Sequence, residues 1–229
     1  MISIIIPILN EAESIEELLF HLIDHSSLEH ISEIIVVDGQ STDGSQEIIK
    51  KLDLKIKLLS SPKGRAKQMN TGAKAAKGHI LYFLHADSFP PLHFDEFIIS
   101  EVKKGNNAGC FRLKFDSNHW WLRLASWLTQ FSWRACRGGD QSQFITRVLF
   151  DEIGGFDESF AIYEDNILIN ELYTRNEFVV INKKIETSAR LYRKHGVCKL
   201  QYHFWTIYVK KWFGASADDL FAYYKKYIR

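Results

Sequence analysis

Four short apolar runs alternate with stretches at helical spacing, and this alternation restricts the fold more than any other feature of the chain. Ile2-Ser3-Ile4-Ile5-Ile6-Pro7 leads into Ile15, Leu18, Leu19 and Leu22 at helical intervals, and Ile34-Ile35-Val36-Val37 leads into a helix-like stretch ending near Leu52. Lys55 to Leu59 precedes an Ala- and Lys-rich stretch over 64–77, and Ile80-Leu81-Tyr82-Phe83-Leu84 completes the set. Strands that are apolar throughout and separated by helices predict an α/β fold with a mostly parallel central sheet flanked by helices. Ligands of such sheets sit beyond the carboxyl ends of the strands. At those ends the chain carries Asn10-Glu11, Asp38-Gly39, Gly64-Arg65 and His85-Ala86-Asp87.

Beyond Asp87 the pattern changes at Pro90-Pro91. Spacing there predicts helices over 92–104, 120–131, 147–153 and 164–175, strands over 109–115 and 143–146, and two C-terminal helices over 199–213 and 217–228. Trp120, Leu124, Trp127, Leu128 and Phe131 form a wide apolar stripe.

The 229 residues are 25% charged with a formal net charge of +1, which excludes a disordered chain and gives no global field for nucleic acid. The averages hide two asymmetries. Of 31 aromatic residues only Phe20 precedes Tyr82, and residues 183–229 hold 11 basic residues against 3 acids, a net +8 that leaves −7 on residues 1–182. Three cysteines at unrelated spacings indicate neither a disulfide framework nor a metal knuckle and fit a reducing cytoplasm. No basic-then-apolar leader stands at the start, and no apolar run approaches the roughly 20 residues of a membrane span. The expected location is therefore cytoplasmic, at most peripheral on the inner face of a membrane.

The residues at the strand ends suggest chemistry. Asp38 can accept hydrogen bonds from a ribose or base edge, whereas Asp43 also suits a helix N-cap. Gly64-Arg65 opens a helix, so backbone N–H groups and a guanidinium converge on an anion such as a diphosphate. No Gly-Lys-Ser/Thr and no GxGxxG follows a strand, which excludes a phosphate loop and a dinucleotide fingerprint. Asp87 suits Mg²⁺ or Mn²⁺ shared with substrate phosphates. His85 reads either as a further ligand or as a satisfied strand-end histidine. Glu164-Asp165 reads either as first-turn acids complementing a helix dipole or as a general base.

These motifs together resemble the family 2 glycosyltransferases of GT-A fold: Ser3–Pro7 with Asn10-Glu11, Val37-Asp38-Gly39 with Ser41–Gly44, Gly64-Arg65 with Asn70 and Gly72, His85–Asp87, Gly154-Gly155-Phe156 and Glu164-Asp165. Gly64-Arg65-Ala66-Lys67-Gln68-Met69-Asn70, Phe83–Asp87, Gly139–Gln143 and Thr187-Ser188-Ala189-Arg190 are similar to a bacterial subgroup labelled arsenosugar-biosynthesis-type glycosyltransferases. The resemblance implies an inverting transferase using a nucleotide-diphosphate sugar, with a GT-A domain over 1–190 and a basic, aromatic helical extension over 191–229 packed on it. It implies that Pro7, Asn10, Glu11, Asp38 and Ala86 line the nucleotide pocket with Arg65 and Gln68 near the donor. Asp87 would hold Mg²⁺ or Mn²⁺, Asp165 beside Glu164 would be the base, and Gly139, Asp140 and Gln141 would line the acceptor or sugar pocket. His85 stands where the family's metal motif has its first acid, and His195 reads as a late metal ligand or a surface histidine.

Two other classes compete. A nucleotidyltransferase needs a glycine-rich basic loop directly after the first strand, and Pro7 to Glu11 has none. A binding or membrane-surface module that has lost its metal acid at His85 is the second. The tail over 199–229 has two readings as well: an interfacial segment held by anionic lipid, or aromatics packed on the body or on the second subunit of a homodimer.

Overall fold

In the computed structural model, which describes residues 1–228, the expected alternation is present. It runs β1 (Ile2–Ile8), α1 (Ile15–Asp24), β2 (Ile31–Asp38), α2 (Ser45–Lys51), β3 (Ile56–Ser60), α3 (Arg65–Ala75) and β4 (Ile80–Phe83). The chain continues through β5 (Ser88–Phe89), α4 (Phe94–Lys103), β6 (Ala108–Phe115), α5 (Trp120–Leu128), β7 (Gln143–Thr146), α6 (Arg147–Ile153) and α7 (Glu164–Thr174). It ends with β8 (Phe178–Thr187), α8 (Arg190–His195), α9 (Val197–Trp212) and α10 (Ala217–Tyr227). The sheet order is β3-β2-β1-β4-β7-β6-β8-β5. β3, β2, β1 and β4 are parallel, as are β6 and β8, while β7 opposes both its neighbours and β5 opposes β8.

The β1 run is buried on both faces because alternate residues feed two cores. Ile4 and Ile6 meet Leu18 and Leu22 of α1, whereas Ile5 meets Met69 and Ala73 of α3. α3 comes very close: a Cβ on Gly72 would lie 2.4 Å from Ile5 Cγ2 and 3.1 Å from Val37 Cγ2. Gly72→Ala is accordingly expected to destabilise by about 1–3 kcal/mol through overpacking. Thermal denaturation checks this, and an unchanged Tm would show that the helix shifts without cost.

Three features lie beyond what the spacing predicts. β8, with β5 beside it, was not legible because a register shift against β6 between Phe111 and Arg112 leaves Asn182, Lys183 and Lys184 consecutively exposed, which breaks the alternation of a strand. The apolar stripe of α5 does not face the core. Only Leu122 of that helix is buried, while Trp120, Leu124 and Trp127 are exposed. The two expected C-terminal helices are present as α9 and α10, and the short helix α8 before them was not expected. The tail's inner residues Leu200, Ile207, Leu220 and Ile228 share a core with Phe160 and Ile162, so packing on the body accounts for one side of this segment. Arg229, the last residue of the expected extension, lies outside the described residues.

Candidate functional site

The loops after β1 and β2 are stitched to each other. Buried Asp38 accepts hydrogen bonds from the backbone N–H of Gln40 (3.0 Å) and Ser41 (3.1 Å) and from Gln46 Nε2 (2.6 Å). Asn10, in the left-handed region at φ 59°, donates its N–H to Ser41 Oγ at 2.9 Å and accepts from Thr42 N at 2.8 Å through Oδ1. Asp43 is not the N-cap of α2, which is Gly44; one position earlier, it accepts from Ser45 N at 3.1 Å and from Ala12 N at 2.9 Å. Gln68 donates from Nε2 to the carbonyls of Ile8 (2.7 Å) and Val37 (2.8 Å), tying α3 to both strand ends. Asn10, Asp38 and Gln68 thus spend these polar atoms on holding the rim, and Pro7 and Ala86 are buried in it.

Two helix N-termini face each other across this rim. Arg65 opens α3, and Glu164 and Asp165 open α7. Arg65 Nε lies 2.7 Å from Glu164 Oε1, a charge contact without hydrogen-bond alignment, so neither oxygen of the fully buried Glu164 receives a hydrogen bond among the described residues. Burial pushes the Glu164 carboxyl up to about 7, opposed by Arg65 and reinforced by Asp165. The Arg65 guanidinium is held charged chiefly by Glu164. His85 Nδ1 stands 3.5 Å from Asp140 Oδ1. Burial works against the charged imidazole of His85, yet the bond to Asp140 and the field of Asp165 raise it above its ordinary value. Gly139 sits between the strand end and α7: a Cβ there would fall 2.1 Å from Asp165 Oδ2 and 3.0 Å from His85 Cε1.

Arg190, which spacing did not single out, makes a two-pronged pair with Glu11 (Nη1 to Oε2 2.8 Å, Nη2 to Oε1 2.6 Å). Its Nε lies 3.5 Å from Asp87 Oδ2. The first residue of α8 therefore brings positive charge to two acids of the rim. Among the described residues no three His, Cys, Asp or Glu side chains converge as a metal-ligand group, so Asp87, His85 and His195 do not form one. His195 ends α8 with a buried Nε2 that has no hydrogen-bond partner. One carboxylate, such as Asp87, is the protein donor that Mg²⁺ or Mn²⁺ uses when phosphate oxygens and water complete its shell.

A buried arginine organises the far wall. Arg137 donates to the carbonyls of Thr129 and Phe131 (both 2.7 Å) and to Gln141 Oε1 (2.6 Å), while Gln141 Nε2 donates to the Cys136 carbonyl at 2.6 Å. Gln141 is thereby a brace of the loop that carries Gly139 and Asp140. This loop, α5, α7 and α9 enclose a cavity of about 640 Å³. Arg65, Asp140 and Asp165 form its polar end, and Trp121, Tyr163, Tyr192, Phe204, Trp205 and Tyr208 form much of its wall. Cys110 lies under the same loop, where burial pushes its thiol up to about 11 against the pull of Arg137. Thiolate is then scarce at pH 8, and Ellman's reagent is expected to react with exposed Cys198 promptly and with Cys110 only after unfolding.

An α/β sheet with polar loops at the carboxyl ends of parallel strands, and with acids where α7 and β4 meet the rim, defines a GT-A-type domain. The chain belongs to glycosyl transferase family 2, whose family model matches residues 3–170. It is 34% identical over 106 residues to glycosyltransferase AglE of Haloferax volcanii (44% of this chain, 35% of that one). It is 33% identical over 110 residues to the dolichol-phosphate mannosyltransferase of Pyrococcus furiosus (46% of this chain, 31% of that one). The chain thus spans about a third of the length of the curated relatives it matches. Its fold matches that of mannosyltransferase PcManGT from Pyrobaculum calidifontis in complex with GDP-Man and Mn²⁺, with a TM-score of 0.66 at 20% identity over 90% of this chain and 59% of that one.

Proposed function

We propose that the chain is an inverting glycosyltransferase that moves a sugar from a nucleotide-diphosphate donor to an acceptor hydroxyl. The observation that carries this reading is the meeting of two spaces at Arg65. The guanidinium and the N-terminus of α3 suit a diphosphate at the rim, and the same side chain closes the polar end of the aromatic cavity where Asp165 lies. An acceptor in the cavity presents its hydroxyl to Asp165, which takes the proton as the oxygen attacks the anomeric carbon. The bond from that carbon to the diphosphate breaks, the nucleoside diphosphate leaves, and the configuration inverts because one displacement occurs. Glu164 is buried against Arg65 and acts by fixing that cation rather than by touching substrate. Gly139 lets Asp165 and His85 approach, and Asp140 holds His85. Asp87 is the residue that would hold Mg²⁺ or Mn²⁺, which when bound neutralises charge on the departing diphosphate. The Mn²⁺ and GDP-Man in the structural relative, and the mannosyl transfer in the name of the Pyrococcus relative, support a nucleotide-sugar donor and a divalent cation here.

The test is a panel of nucleotide-diphosphate sugars with Mn²⁺, read by thermal shift and by donor hydrolysis. Binding of at least one donor at 100 times its Kd raises stability by roughly 2.7 kcal/mol. Absence of both binding and hydrolysis across the panel would overturn the proposal. Nucleotide binding that ignores Mn²⁺, with no turnover, would instead mark a binding module that has lost its metal acid at His85.

A further inference from the structure

α9 carries two apolar faces. Leu200, His203 and Ile207 are buried, while Tyr202, Trp205, Val209 and Trp212 are exposed, and at about 100° per residue the two sets fall on opposite sides of the helix. α5 repeats the arrangement, with Leu122 inward and Trp120, Leu124 and Trp127 outward at i, i+4 and i+7. The two helices touch where Trp121, at the edge of the cavity, meets Trp205 edge to face at 5.7 Å. After α5 the aromatic surface continues through Trp127, Phe131 and Trp133, with ring centroids 5.2 and 4.7 Å apart. Trp120 is 67% exposed, Trp212 86% and Phe213 85%, so these rings are left in water by everything the chain folds against them. Exposed apolar stripes at helical period mark a binding surface.

The charges identify the occupant. No acid occurs in 120–137, where Arg123 and Arg134 are exposed, or in 187–217, where Lys199 is exposed while Lys210 and Lys211 lean over Tyr223 and Phe160. A groove of about 850 Å³ beside Trp120 and Trp127 adds Arg112 and Lys184, for which no ion pair is found among the described residues, while its acids Asp116 and Glu186 are already paired with Arg193 and Lys114. In contrast, the tail cations that do pair with body acids, Arg190 and Arg193, lie on α8. Tryptophan and tyrosine interleaved with lysine and arginine is the chemistry of a bilayer interface. A second copy of the same face would set these cations against themselves in a two-fold contact, where the groove's acids, Asp116 and Glu186, are already paired.

We propose that the outward faces of α5 and α9, with the 131–134 loop between them, dock on an anionic lipid bilayer. The helices lie on the surface, since among the described residues no helix is long and apolar enough to cross a membrane. α10 takes no part: it packs inward through Leu220 and begins with Asp218 and Asp219. The contact is thus narrower than 199–229 at one end and gains α5 at the other. α5 and α9 also wall the cavity that reaches Asp165, with Trp205 shared between the exposed face and the cavity wall, so docking sets that cavity beside lipid headgroups. This consequence rests on the transferase reading, whereas the docking itself does not.

Co-sedimentation of the full chain with vesicles of equal parts phosphatidylcholine and phosphatidylglycerol tests the proposal. The protein is expected to bind at low salt, to be weakened by high salt, and to bind pure phosphatidylcholine poorly. Trp120→Ser with Trp127→Ser, and separately Trp212→Ser with Phe213→Ser, are each expected to lower partitioning about tenfold or more, whereas Tyr227→Ser on α10 leaves it unchanged. Because these side chains are exposed, the variants keep the parent Tm. Should one unfold, quenching of tryptophan fluorescence by brominated lipid in the unaltered protein reads the same contact. Failure to bind anionic vesicles at low salt overturns the proposal. So does binding that either pair of substitutions leaves intact, or a homodimer, seen by analytical ultracentrifugation, that the same substitutions dissociate.

Discussion

Asp165→Asn is expected to lower kcat for sugar transfer by about 10³-fold, within the range for removal of a general base, while leaving donor affinity within a few-fold of the parent. The amide has the size of the carboxylate and keeps its place at the start of α7, but it cannot accept the acceptor's proton. Donor affinity is spared because the diphosphate is assigned to the other side of the rim, at Arg65 and Asp87. Steady-state transfer assays together with calorimetry on a nucleoside diphosphate measure both quantities. A variant whose kcat stays within a few-fold of the parent would remove Asp165 from the role of base. Glu164→Gln separates the two acids: it leaves the carboxamide beside Arg65 without charge, so its expected defect is in donor binding rather than in proton transfer.

Gly139→Ala is expected to lower kcat by about 10²-fold, because a displacement near 1 Å of a reacting group has an effect of that size. The added methyl would sit 2.1 Å from Asp165 Oδ2 and 2.7 Å from its Cγ, so Asp165 must move. Backbone conformation is no obstacle at the neighbouring glycine, Gly138, whose φ of −167° is ordinary extended chain. A Cβ on Gly138 meets nothing within 4 Å, so Gly138→Ala serves as the control and is expected to match the parent. Equal defects in the two variants would mean that loop flexibility, rather than the seat of Asp165, is what the glycines supply.

Much of the rim was legible because it is made of local signals. Apolar runs ending in Asn10-Glu11, Asp38-Gly39 and His85–Asp87 place these residues at carboxyl ends of strands whatever the rest of the chain does. Gly64-Arg65 and Glu164-Asp165 likewise announce helix starts. Function was less legible residue by residue. Asn10, Asp38 and Gln68 were expected to face a nucleotide, yet the polar atoms described above bond to their own loops and strand ends. Arg137 gave no signal beyond composition, and Arg190 stood in a recognised motif without a role. Their roles depend on partners 179 residues away at Glu11 in one case and on the carbonyls of Thr129 and Phe131 in the other.

The chain's opening pattern of apolar runs and helical spacing determined the class of fold, because strand and helix periods are set by neighbours two to four positions apart. Only the tertiary structure decided which faces of those elements are covered. The α5 stripe has the spacing of a core-facing helix, but the single buried side chain Leu122 lies on its other side, and nothing in a helical period says what will lie against it. The aromatic and basic excess of the last third resolves in the same way. α8 spends its arginines on Glu11, Asp87 and Asp116, while α5 and α9 keep Trp120, Trp127, Trp205 and Trp212 exposed. Periodicity is a property of the backbone, whereas burial is a property of what packs on it, and only the second depends on residues far away in the chain.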